Sequence, residues 1–331
     1  MPRIGSPRIG SKHARSAAVT VLAVLAVLAV GLTGLAAHIG SQSHVPTAAP
    51  HPIRSAMSLA PPTISSIPAG WKLAWADDFS GTRVDRTVWN VENNSTFGDG
   101  NKELACLMDR PENVSVSGGL LTITARKEVT PIECNRHDRR FPAGRSYTSG
   151  MLTTKSRLSF QYGLFEIRAR APTTQGTSKG LWPAYWMLPA AGGPGELDVL
   201  ELIGTGAHDA PSANRVSQTI HCHCQGTHPE QANSYPLPAG TFADGFHTYA
   251  VAWAPGSIKW YVDGTLTYSR TIRTTSWIDT AFGSEFYLLL NMAVGGSWPG
   301  SPDAATTFPA RYQVDYVRVY KRGLTDPGLV G

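Results

Sequence analysis

Three acids within six residues, Glu196-Leu-Asp198-Val-Leu-Glu201, are the part of this sequence best equipped for chemistry. They lie in residues 195–204, GELDVLELIG, which read as a β-strand. Successive side chains of a regular strand alternate faces, so Glu196 and Asp198 share one face while Leu197 and Val199 share the other. Strict alternation would then send Glu201 into the apolar face, where an unpaired carboxylate is costly. One extra residue at Val199-Leu200, a β-bulge, restores the phase and returns Glu201 to the acids. The two glutamates are then effectively four strand positions apart, roughly 13 Å between Cα atoms, and leaning side chains bring their carboxyl groups to about 5 Å. That spacing suits a pair in which one carboxylate attacks an anomeric carbon and the other protonates the departing oxygen. Asp198, between them, can hydrogen-bond Glu196 and help keep the pair in different protonation states. Three like charges on one face should repel, which argues against a merely solvated edge strand.

The elements that must carry this strand are themselves strands. Residues 113–116 and 120–126 flank Ser117-Gly118-Gly119, a hairpin signal. In residues 257–262, Ile258, Trp260 and Val262 alternate with polar positions, and Asp263-Gly264 then leads into residues 265–270, a two-residue hairpin signature. Tyr249, Val251 and Trp253 alternate in the preceding strand, and residues 311–320 (RYQVDYVRVY) form a closing one. Antiparallel strands without intervening helices predict an all-β, two-sheet antiparallel sandwich.

Of 331 residues 42% are hydrophobic, enough for a large core, and 33 glycines and 24 prolines fit a turn-rich all-β chain. The net charge of +5 is local. Arg3, Arg8, Lys12, Arg15 and Arg54 stand in residues 1–70 without one acid, and removing these five from the 29 basic residues leaves 24 against 24 acids. The basic excess thus belongs to the N-terminal segment and not to the folded part, where a nucleic-acid binder would normally carry its basic patch, and nothing in the sequence implies a protein partner. Residues 17–30 (AAVTVLAVLAVLAV) follow four basic residues, and Gly34-Leu35-Ala36 offers a small-x-small cleavage site. Residues 1–37 therefore read as a signal peptide or as an uncleaved N-terminal anchor, and either places the protein outside the cytoplasm. Residues 38–70, rich in Pro, Ser and Ala, read as a tether. Residues 71–322 form the folded domain, and 323–331 a C-terminal tail. Cys106, Cys134, Cys222 and Cys224 all fall in the exported part, where disulfides persist; four cysteines allow three pairings. His221-Cys222-His223-Cys224 has the alternative of a metal site, but its cysteines stand closer than zinc pairs usually do.

The six-residue acid motif resembles that of glycoside hydrolase family 16, E-x-D-x-x-E or E-x-D-x-E, in the bulged form of its laminarinase, or endo-β-1,3-glucanase, branch. Further segments agree in order across residues 71–320: LAWADDFSG at 73–81, NKEL at 101–104, YTSGMLT at 147–153, LWPAYWML at 181–188, NMAVGGSWPG at 291–300 and VDYVRVY at 314–320. The resemblance implies a β-jelly roll with a concave substrate cleft, Glu196 as nucleophile, Asp198 as its assistant and Glu201 as acid/base. It implies a β-glucan substrate and no cofactor for catalysis. Sugars stack on aromatic rings and need polar partners for their hydroxyls. Trp182, Trp186 and Trp298 are accordingly candidate platforms, and Asn93, Glu103, Arg126, Asn291 and His221 candidate hydroxyl partners. Cys222-His-Cys224 departs from the family pattern beside that histidine. The family's structural Ca2+ would find candidate donors in Asp315, the Gly119 carbonyl and Asp78. Other readings remain: a family member acting on galactan, agar or mixed-linkage glucan, a transglycosylase, or a lectin-like jelly roll that binds without cutting.

Overall fold

Asp263-Gly264 and Gly118-Gly119 turn the chain back on itself with all four residues at positive φ, 47° and 77° in the first pair and 60° and 76° in the second. Such turns match the twist of the strands they join. The computed structural model describes residues 70–135, 138–204, 212–224 and 226–322, all within one compact unit. The targeting segment, all of the tether except Gly70, and the C-terminal tail lie outside the described residues.

Seventeen strands, one short α-helix and one 3-10 turn (Asp99–Asn101) follow one another in these residues. They begin with β1 (Lys72–Asp77), β2 (Asn90–Val91), β3 (Ala105–Leu107), β4 (Val114–Ser117) and β5 (Leu120–Ile132). Next come β6 (Arg145–Ser149), β7 (Met151–Thr153), β8 (Gly163–Arg170), β9 (Leu181–Pro189), β10 (Gly195–Leu202) and β11 (Arg215–Cys222). The series ends with β12 (Glu230–Pro236), β13 (His247–Ala254), β14 (Ser257–Val262), β15 (Thr265–Thr271), α1 (Ile278–Phe282), β16 (Phe286–Val294) and β17 (Ala310–Lys321). A ten-stranded sheet runs β15-β14-β13-β8-β17-β5-β6-β3, with β1 added to β17 and β4 to β5. A seven-stranded sheet runs β12-β11-β10-β9-β16-β7-β2 and places the acid strand near its centre.

The two sheets close on one apolar core, as the alternation requires. Tyr249, Val251 and Trp253 of β13 and Ile258, Trp260 and Val262 of β14 meet Tyr185 and Met187 of β9 and Leu197, Val199, Leu200 and Leu202 of β10. Each large apolar side chain removed from water contributes roughly 1.5–3 kcal/mol, so the register of β10 is fixed from its core side. The hairpins pair as the turns dictate, Ser117 with Leu120 and Val262 with Thr265. The all-β, antiparallel sandwich expected from the sequence is the observed fold. One pair departs from it: β3 runs parallel to β6, because a long excursion rather than a hairpin returns the chain.

Both disulfides that four cysteines permit are formed. Cys106–Cys134 ties β3 to the end of β5, and Cys222–Cys224 closes a two-residue separation at the end of β11. The second bond answers the metal alternative for the His221–Cys224 run, since both thiols are spent on each other.

Candidate active site

The bulge lies where the polarity of the sequence demands it. Against β9 the register passes from Asp198↔Trp186 to Leu200↔Tyr185, and against β11 from Asp198↔Thr219 to Glu201↔Ser217. Val199 and Leu200 thus occupy the space of one residue, both buried in the core, and Glu201 rejoins the face of Glu196 and Asp198. Gly195 sets the start of this strand: any side chain there would collide with the Ala281 carbonyl of α1.

Glu196 and Glu201 line one cavity of about 570 Å³ with Asn101, Trp182, His221, Glu230 and Trp298 among its walls. The Trp182 indole Nε1 donates to Glu201 Oε1 at 3.1 Å, and its ring meets Trp298 edge-on with centroids 5.3 Å apart. His221 stands opposite Glu196 on β11. Its Nε2 lies 3.2 Å from Asp198 Oδ2 and its Nδ1 3.5 Å from Glu230 Oε2, so the ring is held between two carboxylates. Asp198 is only 2% exposed, and its buried Oδ2 faces the His221 ring. The aspartate therefore engages His221, where the sequence pointed to a hydrogen bond with Glu196.

Electrostatics separate the acids. Burial, reinforced by the charge of Asp198 and partly offset by His221, pushes Glu196 up to about 7. Glu201 is raised well above the usual carboxylate range, first by burial and then by the charges of Asp198 and Glu196, against the opposing Trp182 hydrogen bond. Burial raises Asp198 too, with His221 pulling the other way. For His221 burial would favour the neutral ring, but Asp198, Glu196 and Glu230 outweigh it and raise its pKa. Glu201 thus holds its proton more strongly than Glu196, whose rise His221 opposes, an asymmetry that suits one group to donate a proton and the other to act ionised.

These shifts carry a stability cost of definite sign. A carboxyl whose folded pKa is raised binds its proton more tightly when folded, so stability is fully present below its unfolded pKa, about 4.3, and is lost as pH rises through the folded value. Glu201→Gln keeps the acceptor for Trp182 and removes that loss. Its Tm is expected to exceed that of the parent at about pH 8 and to converge with it at about pH 4. An equal offset at both values in a thermal scan would show that no raised carboxyl is being removed.

The other sequence candidates scatter. Trp186 shares the cleft face, its Nε1 donating to Asn291 Oδ1 at 2.8 Å, so Asn291 serves the ring instead of standing free. Phe97, which sequence reading passed over, is 43% exposed with its centroid 6.1 Å from Trp186. Beside them Leu107 packs with Met151, Tyr287 and Leu289, covering part of the face that β16 and β7 would otherwise expose. Glu103 is not at the acid cavity. It is buried under the turn at Gly98, where any side chain would strike its carboxyl group, and burial, against a hydrogen bond from Asn101, pushes it up to about 7. Asn93 Oδ1 accepts the Asp109 N–H at 3.1 Å and braces a loop. Arg126 lies beside Glu128 in a separate hollow with Lys127 and Phe308. What the sequence did offer, unread, was the alternation Ser217-x-Thr219-x-His221 in β11, whose three residues all line the cavity.

The calcium candidates converge only in part. Register brings the β4–β5 turn and the end of β1 to the stretch of β17 around Asp315. Yet Asp315 Oδ2 is taken by Arg168 Nη1 at 2.6 Å, and Asp78 accepts the N–H of Ser80. A hard cation needs several oxygens free of competing cations, so these residues do not fit a calcium ion as they stand. Among the described residues the group of acid and histidine atoms lying within 4.8 Å of one another is instead Glu196, Asp198 and His221.

The family model of glycosyl hydrolases family 16 matches residues 100–318. A glucan endo-1,3-beta-glucosidase A1 of Niallia circulans is 39% identical over 80% of this chain and 40% of its own length. A beta-glucanase of Rhodothermus marinus is 38% identical over 76% of this chain and 85% of its own. The catalytic domain of an endo-1,3-beta-glucanase (laminarinase) from Thermotoga petrophila superposes with a TM-score of 0.63 at 34% identity, covering 76% of this chain and 98% of that one. The chain thus spans less than half of the first relative and most of the second. A bulged strand carrying Glu196, Asp198 and Glu201 on one face, inside a sandwich matched this widely, places the chain in glycosyl hydrolase family 16.

Proposed function

We propose that this protein is an exported, retaining endo-β-1,3-glucanase that cleaves internal bonds of laminarin-type glucan. The observation that carries the reading is the bulge, which keeps Glu196 and Glu201 on one face of one cavity with Trp182 fixed to the second glutamate. A Glu196 oxygen bonds to the anomeric carbon as the glycosidic C–O bond breaks, and the Glu201 proton goes to the departing oxygen. Glu201, now a carboxylate, takes a proton from water as that water's oxygen attacks the same carbon and frees Glu196. His221 acts against the burial and the Asp198 charge that raise Glu196, and so favours its ionised form. Trp182 and Trp298, with Trp186 and Phe97 further along the face, offer rings on which sugar faces stack. The relatives' names support β-1,3-glucan as substrate, and the bulged acid motif with NMAVGGSWPG supports the same linkage. The basic-then-apolar N-terminal sequence and two disulfides support export.

Reducing-end release from a substrate panel tests this. Laminarin should be cut faster than mixed-linkage glucan, and unsubstituted β-1,4-glucan hardly at all. Faster release from agarose or galactan would overturn the linkage. Tight laminarin binding without any release would favour the lectin-like reading.

A further inference from the structure

The bulge that puts Glu201 in the cleft is held from the opposite sheet. Trp260 of β14, fully buried, crosses the core and donates its indole N–H to the backbone carbonyl of Asp198 at 2.8 Å. In a regular ladder that carbonyl would lie in the plane of its own sheet and point at a neighbouring strand. Here it is turned into the interior, at the residue where the pairing of β10 with both neighbours breaks. A second irregularity faces the first. The β14–β15 register passes from Trp260↔Tyr268 to Tyr261↔Leu266, leaving Thr267 as the extra residue. Its hydroxyl lies 2.8 Å from Gln218 Oε1 and 3.2 Å from the carbonyl of Trp260. Gln218, wholly buried on β11, is the residue that Val199 and Leu200 jointly oppose. Tyr268 packs on the Trp260 ring with centroids 5.1 Å apart and fixes its direction.

We infer that Trp260, with Thr267 behind it, is a positioning residue for catalysis, locking the β10 bulge and through it the placement of Glu201. The inference rests on Glu201 being the acid/base. Bulges free backbone groups that need partners, and a buried carbonyl left without one is costly. A sheet-spanning donor at that atom selects the bulged register over the regular one, in which Glu201 would face the core.

Trp260→Phe removes the donor and keeps the ring. Trp253→Phe is the control, because Trp253 is equally buried in the same sheet and donates to the Phe282 carbonyl of α1 at 3.1 Å. Both variants should lose similar Tm. Trp260→Phe should in addition lower kcat on laminarin about 10- to 100-fold with KM within roughly twofold, as a small displacement of a catalytic group does. It should also shift the alkaline limb of the pH profile, since the Glu201 carboxyl moves relative to Trp182, Asp198 and Glu196. Thr267→Val should move the same readouts in the same direction, and it decides the matter where Trp260→Phe does not fold. If Trp260→Phe, or in its place Thr267→Val, matches Trp253→Phe in kcat and pH profile, the inference is wrong. A parent enzyme indifferent to Glu201→Gln would instead sink the acid/base assignment beneath it.

Discussion

Glu196→Gln is expected to lower turnover of laminarin on the order of 10⁴-fold while leaving the fold intact, because an amide cannot form the covalent intermediate. Circular dichroism and a thermal scan check the fold beside the kinetics. Glu201→Gln should cost about 10²–10⁴-fold on the same polymer, the usual worth of a positioned proton donor. The two losses differ in kind. A good leaving group departs without a proton, so Glu201→Gln should keep far more activity on activated aryl glycosides than Glu196→Gln does. Near-parental turnover by Glu196→Gln would remove the nucleophile from the mechanism. Equal losses on polymer and aryl substrate for Glu201→Gln would remove the acid.

The assignment of roles has an electrostatic basis on the same strand. Both glutamates are lifted by burial and by Asp198, but only Glu196 has His221 opposite it, which opposes the rise. Glu201 faces Trp182, a neutral donor that holds the carboxyl group without supplying a full charge. Protonation therefore settles on Glu201 first. Glu230, partner to the outer side of His221, adds to the field that raises the pKa of that ring.

Much of this was legible in the sequence because it follows from polarity alone. Leu197, Val199, Leu200 and Leu202 cannot all be buried on one unbroken strand that also turns Glu196 and Glu201 to the cleft, so polarity alone forces the bulge. Asp263-Gly264 and Gly118-Gly119 announced their hairpins for an equally local reason. What escaped depends on contacts between distant residues. Nothing near Glu103 reveals that Gly98 lacks a side chain so that the carboxyl can tuck beneath it. Arg126 sits on β5 in the other sheet, paired with Thr148 of β6, and only that placement shows that it serves another hollow. The Asp198–His221 contact, the pairing Cys106–Cys134 and the reach of Trp260 across the core are likewise set by tertiary packing.

Retention of anomeric configuration is the sharpest stereochemical consequence of the register. His221 and Ser217 stand four positions apart on β11, so their partners Glu196 and Glu201 are four positions apart as well. That is roughly 13 Å between Cα atoms, and two side chains leaning into one cavity close it to about 5 Å between carboxyl groups. An inverting enzyme leaves room for water between base and sugar, about 6.5–9.5 Å between carboxyl groups. A separation of about 5 Å leaves no such room, so Glu196 is expected to reach the anomeric carbon itself, with water entering only after the leaving group departs. Two inversions restore the starting configuration. Proton NMR of laminarin hydrolysis should show the β-anomer of the new reducing end first, with the α-anomer growing only at the rate of mutarotation. Appearance of the α-anomer first would mean that the carboxyl groups stand further apart than the β10–β11 register allows, and the double displacement would fall with that geometry.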